Sequence, residues 1–187
     1  MLAELFKKYS SPPGSGTVRG TDKGTVHSYA ETYEELFASR RFEPLEIVEI
    51  GVDSGASLEV WADYFPAAHV TGIDISLDNL QYGKHHPRIS VYETNAVCMN
   101  PEKRYDILID DGSHQPEDQL RAIEIWGPFI NDLMIIEDVN LKKNPHLGAA
   151  LKWTASKVGF DCEIRDLRSS PESPEDDVLA ILRKKKK

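Results

Sequence analysis

The chain has 187 residues, 40% hydrophobic and 28% charged, enough for one domain with a substantial core and short for a two-domain enzyme. With 31 acidic against 22 basic residues the formal charge is −9, which opposes nucleic-acid binding, and no apolar run reaches the roughly 18 residues of a spanning helix. Cys98 and Cys162 lack the spacing of a disulfide framework or a zinc finger and no signal peptide opens the chain, so a soluble, cytoplasmic protein with reduced thiols is expected.

Leu2 to Tyr9 reads as a short amphipathic helix, followed by SSPPGSGTVRGTDKG, where proline and glycine forbid regular structure and suggest a segment that is mobile or ordered by a ligand. From His27 the spacing of Tyr29, Tyr33, Leu36 and Phe37 is helical, and that helix should stop before Pro44. Residues 1–43 therefore form an N-terminal helical, covering segment, 44–183 the main domain, and 184–187 a basic tail. Five basic residues fill Arg183–Lys187, and without interleaved aromatics they read as a solvated tail.

LEIVEIG (Leu45 to Gly51), a helix-like stretch from Ser57 to Phe65 and HVTGIDI (His69 to Ile75) make a βαβ unit. Further strands are expected at Arg88 to Tyr92, Tyr105 to Asp110 and Leu133 to Asp138, with helices from Pro116 to Trp126 and from Leu147 to Val158. The runs Gly159 to Leu167 and Asp176 to Lys184 have no room for a crossover helix, so they should pair as an antiparallel hairpin. The fold class is α/β: a Rossmann-like seven-stranded sheet, mostly parallel, ending in that hairpin. Trp61, Trp126 and Trp153 fall at helical spacings as core or interface residues, and His85 and His86 read as surface.

In such sheets ligands bind beyond the carboxyl ends of the strands. After the first strand the chain reads Glu49-Ile-Gly51-Val-Asp53-Ser-Gly55, where glycines admit close approach and Asp53 would repel a pyrophosphate, so a cationic ligand fits better than a dinucleotide. Asp74 ends the second strand at the separation from Gly51 where an acidic side chain takes ribose hydroxyls. The fourth strand ends in Asp110-Asp111-Gly-Ser-His114 and the fifth in Glu137-Asp138. Asp111, Glu137 and Asp138 would give an all-oxygen ligand set suited to Mg²⁺ or Mn²⁺. Asp110, adjacent to Asp111 on an extended strand, points the other way.

E-I-G-V-D-S-G with a strand ending G-I-D resembles the S-adenosylmethionine (SAM) site of class I methyltransferases. The resemblance places Gly51 beside the methionine and ribose, Asp74 on the ribose hydroxyls and Asn95-Ala96 near the adenine. Glu49, Asp53, Gly55 and Asp110 join the cofactor shell. D-G-S-H and E-D resemble the metal-dependent sugar O-methyltransferases of macrolide biosynthesis, the mycinamicin type, and the related cephalosporin-hydroxylase-like group. That likeness implies metal on Asp111, Glu137 and Asp138, and His114 as general base. GTDKG with HSY (Gly20 to Tyr29) is similar to the family's cofactor-covering element and implies contacts from Lys23 and His27.

The function so implied is SAM-dependent O-methylation of a hydroxylated small molecule, such as a sugar, assisted by a divalent cation. Macrolide-acting members carry further segments that shape the acceptor pocket and oligomer, so acceptor and self-association stay open. A metal-independent small-molecule methyltransferase and a non-catalytic SAM-binding partner subunit are the alternatives. Nucleic acid and membrane are not expected partners.

Overall fold

The computed structural model describes residues 1–10, 20–170 and 173–186. Seven strands form one sheet: β1 (Glu46–Ile50), β2 (His69–Asp74), β3 (Ile89–Glu93), β4 (Tyr105–Asp110), β5 (Ile130–Ile136), β6 (Phe160–Asp166) and β7 (Val178–Lys184). Their spatial order is β3-β2-β1-β4-β5-β7-β6. β1 to β5 are mutually parallel, and β7 enters antiparallel to both β5 and β6. This is the expected α/β class with the expected C-terminal hairpin. β5 begins three residues earlier than its apolar run and stops at Ile136, so Glu137 and Asp138 lie just beyond it.

Period-two alternation explains the layers. Ile47, Ile107, Ile109, Leu133, Ile135, Leu179 and Ile181 face one side, which is covered by α1 (Leu2–Lys8), α2 (Tyr29–Phe37) and α3 (Ala56–Tyr64). Val48, Ile50, Leu108, Met134, Ile136, Ala180 and Leu182 face the other, under α4 (Pro116–Trp126) and α5 (Leu147–Lys157). Trp61 and Trp126 are core residues, one per layer, whereas Trp153 is exposed with the Lys157 ammonium over its ring. Trp153 is therefore not a core residue of this chain. On its helix Trp153 falls opposite the buried Leu151 and Thr154–Ala155 stripe.

The proline- and glycine-rich stretch lies largely outside the described residues. Its described end, Gly20 to Ser28, runs between α1 and α2 and is held from below. The Thr21 N–H donates to the Tyr9 carbonyl (3.0 Å), and Gly24 sits so close to Phe6 that a Cβ there would come within 2.8 Å of the ring side chain. Phe6 is fully buried, edge-on to Tyr33 and Trp61. Phe6→Ala should therefore cost about 3–5 kcal/mol of unfolding free energy, read from the midpoint of a urea titration.

The strand ends are levelled by backbone bonds that continue past them. Gly51 N–H donates to Ile73 O, Asp111 N–H to Ile50 O, and Glu137 N–H to Asp110 O, each within 2.9 Å. Every acidic strand-end motif is thereby delivered to one rim. No helix among the described residues is long and apolar enough to cross a membrane.

Candidate active site

A cavity of about 510 Å³ opens at that rim, within the range of small-molecule sites. Gly51 is its hinge. Its φ is +85°, and a Cβ would stand 2.0 Å from the Asp111 carbonyl oxygen, so only glycine lets the β1 and β4 loops meet. Among the described residues three non-glycine positions are also left-handed: Asp53, His114 and Asp138, with φ of 43°, 56° and 54°. All three line the cavity. Strain gathered this way is a feature of functional sites.

The wall holds Gly51, Asp53, Asp74, Asn95, Ala96 and Asp110, six of the ten expected cofactor residues. Asp74 Oδ2 accepts the Val52 and Asp53 N–H groups at 2.6 and 3.0 Å, which ties the β2 end to the first glycine loop. Asn95 Oδ1 caps the Val97 N–H, and the Ala96 carbonyl accepts from the Trp126 indole, so this turn is fixed from both sides. Asp110 is buried, which pushes its carboxyl up to about 7. Gly55 serves the turn behind the wall, as the left-handed N-cap of α3.

Lys23, His27 and Glu49 are buried and lie behind the residues that line the cavity. Glu49 is fully buried, accepts from the Trp61 indole at 3.0 Å, and is pushed up to about 7 by desolvation. His27 stacks on Tyr29, with Nδ1 3.7 Å from Asp138 and 3.6 Å from Asp177. Lys23 is 1% exposed; its ammonium stands 2.5 Å from Asp111 Oδ2, 2.7 Å from Glu137 Oε2 and 3.4 Å from Glu49 Oε1. Desolvation pulls its pKa down, but these three carboxylates outweigh it and hold Lys23 well above the ordinary lysine value.

The expected all-oxygen trio is rearranged accordingly. Asp111, His114 and Asp138 offer ligand atoms within 4.8 Å of one another, and the imidazole lies between the two carboxylates: Nε2 is 3.3 Å from Asp111 Oδ1 and Nδ1 is 3.4 Å from Asp138 Oδ2. Glu137 turns inward instead, bonded to Lys23 and to the Tyr33 hydroxyl. Successive residues at a strand end diverge, which sends Asp138 to the cavity and Glu137 to the α2 side. His114 does not cap α4, whose N-cap is Gln115. The hydrogen bond that the protonated imidazole donates to Asp111 raises the His114 pKa to about 9, assisted by the Asp138 charge. Burial also raises Asp138 and Glu137.

Several residues went unread in the sequence. Ile75, 73% exposed at the cavity edge next to Asp74, is an apolar platform that looked like the last residue of a strand. Tyr29 and Tyr33 were read only for their helical spacing, yet their hydroxyls bond Asp138 and Glu137. Their i, i+4 spacing puts both on one helix face, which was the available signal. Gln119 gives its Nε2–H to the Glu137 carbonyl and leaves a buried Oε1 without a partner at the cavity wall.

No family model matches the chain. It is similar to the 8-demethyl-8-alpha-L-rhamnosyl tetracenomycin-C 2'-O-methyltransferase of Streptomyces olivaceus, 32% identical over 161 residues, covering 75% of this chain and 41% of that one. It is also similar to the mycinamicin VI 2''-O-methyltransferase of Micromonospora griseorubida, 29% identical over 173 residues, covering 85% of this chain and 38% of the relative. Among solved structures, a sugar N-methyltransferase from a Streptoalloteichus species superposes with a TM-score of 0.65 at 11% identity, covering 94% of this chain and 99% of that one. The MycE methyltransferase of the mycinamycin pathway, in complex with Mg and SAH, superposes with a TM-score of 0.59 at 22% identity, covering 98% and 48%.

The chain has the class I methyltransferase fold. Within that fold its sequence resembles the antibiotic-sugar O-methyltransferases. The chain spans about two fifths of the length of the curated relatives it matches. In class I methyltransferase terms, the glycine loop after β1, the acid at the end of β2 and the D-G-S-H turn after β4 all open on one cavity.

Proposed function

We propose that the chain is a SAM-dependent O-methyltransferase acting on a hydroxyl of a sugar-bearing or similar small molecule with the help of a divalent cation. The observation that carries this reading is the meeting, on one cavity, of Asp74, the Gly51 loop and the Asp111–His114–Asp138 cluster. The described wall contains seven aspartates and no lysine or arginine, which suits a sulfonium donor and disfavours a phosphate. Ile75 and the Asn95-Ala96 turn flank Asp74 as an adenosine subsite would require, and the orphaned Gln119 Oε1 offers an acceptor to a donor group. Asp111 and Asp138 suit a hard dication, with His114 beside them.

The bound donor supplies an electrophilic methyl group, and a bound dication acidifies a hydroxyl. Asp111 and Asp138 hold the acceptor hydroxyl end of the cavity in register. His114 takes the hydroxyl proton, the freed oxygen bonds to the methyl carbon as the carbon–sulfur bond breaks, and S-adenosylhomocysteine leaves. His114 can act as base only when the Asp111 and Asp138 charges are balanced by something other than its own proton, because that pair pushes its pKa up to about 9.

Removing divalent ions with a chelator should abolish methyl transfer from SAM to a rhamnosylated or macrolide acceptor, and Mg²⁺ should restore it. Full activity after chelation would discard the metal role and leave a metal-independent transferase. One observation favours that second reading: Lys23 already pairs with Asp111 and Glu137.

A further inference from the structure

The ammonium of Lys23 sits between Asp111 Oδ2 and Glu137 Oε2, where a cation bridging those two residues would stand. We propose that Lys23 is the resident cation of this cluster, a positioning residue that competes with a divalent ion for Asp111 and Glu137; this rests on the metal reading above.

The geometry divides the carboxylates into two sides. Lys23 takes the inner oxygens, Asp111 Oδ2 and Glu137 Oε2, on a side it shares with the fully buried Glu49. Asp111 Oδ1 and Asp138 Oδ2 remain on the outer side against His114, which is 38% exposed. A dication at the outer side meets Asp111 already committed to Lys23 and gains nothing from Glu137. One that draws in Glu137 must displace the ammonium. In either case the positive charge of Lys23 opposes the ion across a few ångströms of low-dielectric interior.

The competition reaches the cavity. Thr21 and Asp22, immediately before Lys23, belong to its wall, and the Lys23 carbonyl accepts the Tyr29 N–H that starts α2. A shift of the ammonium therefore pulls on the segment covering the cofactor subsite. Lys23 thus helps set both the affinity for the ion and the position of that wall.

The test is Mn²⁺ binding to the whole chain, followed by electron paramagnetic resonance, for wild type and Lys23→Met. Removing the competitor should tighten Mn²⁺ binding by about tenfold or more, in the range of ordinary coupling between sites. It should also lower the melting temperature in chelator, with Mn²⁺ restoring more of it than in wild type. A simple loss of structure would weaken ion binding, so tightening separates competition from damage. Wild-type binding with equal or weaker binding by Lys23→Met overturns the competition and leaves the metal reading standing. No binding by either chain overturns both. Should Lys23→Met fail to fold, the wild-type Lys23 ¹⁵Nζ resonance must shift on Mg²⁺ saturation, and a stationary signal while the His114 ring signals move overturns the proposal.

Discussion

His114→Ala should leave SAM binding intact and cut turnover by about 10²- to 10⁴-fold, the span of a lost general base. The imidazole is held on both sides, by Asp111 and Asp138, and is 38% exposed at the cavity wall, outside the packed core. Truncation removes no buried apolar contact, but it takes a positive charge from between Asp111 and Asp138, so the melting temperature at neutral pH should fall while the fold is kept. Calorimetry with SAM and a turnover assay on the same preparation make the split visible. Turnover unchanged in His114→Ala would remove the proposed base, whereas loss of SAM binding would reassign the ring to holding the wall.

Gly51→Ala is expected to damage both stability and catalysis. The added Cβ would lie 2.0 Å from the Asp111 carbonyl oxygen and 3.0 Å from the Gly112 Cα, and neither is a side chain that can swing aside. Relief demands that the β1 and β4 loops part by about an ångström, a displacement that alone costs about 10²-fold in rate when it misplaces reacting groups. The left-handed φ of +85° adds strain for any L side chain. kcat/KM should fall by at least that factor, with weaker SAM binding and a lower melting temperature. A variant with wild-type kinetics would show that the two loops are not held to each other in the working enzyme.

The sheet was legible because its physics is local. The runs LEIVEIG, HVTGIDI and YDILID are short, apolar and closed by glycine or acid, and the gap before VLAILRK is too short for a crossover, which dictated the antiparallel hairpin. The rim followed from the fold class, since parallel strands present their ends together. The partners of Lys23 were not legible. Asp111 and Glu137 lie 88 and 114 residues away, and the GTDKG resemblance pointed Lys23 at the cofactor rather than at these carboxylates. Nor was the inward turn of Glu137, although strand alternation already sets neighbours such as Glu137 and Asp138 on opposite sides. Composition could not reveal Ile75 either, because isoleucine at the end of an apolar run is indistinguishable from core until the chain is folded.

Asp53, His114 and Asp138 carry left-handed backbone at a penalty of order 1–3 kcal/mol apiece. Glycine would relieve each of them at once. A laboratory screen that ranks variants by heat resistance alone would therefore drift toward glycine at all three and enrich tougher, inert proteins. Selection schemes for this scaffold need product formation as a second gate, applied in the same round.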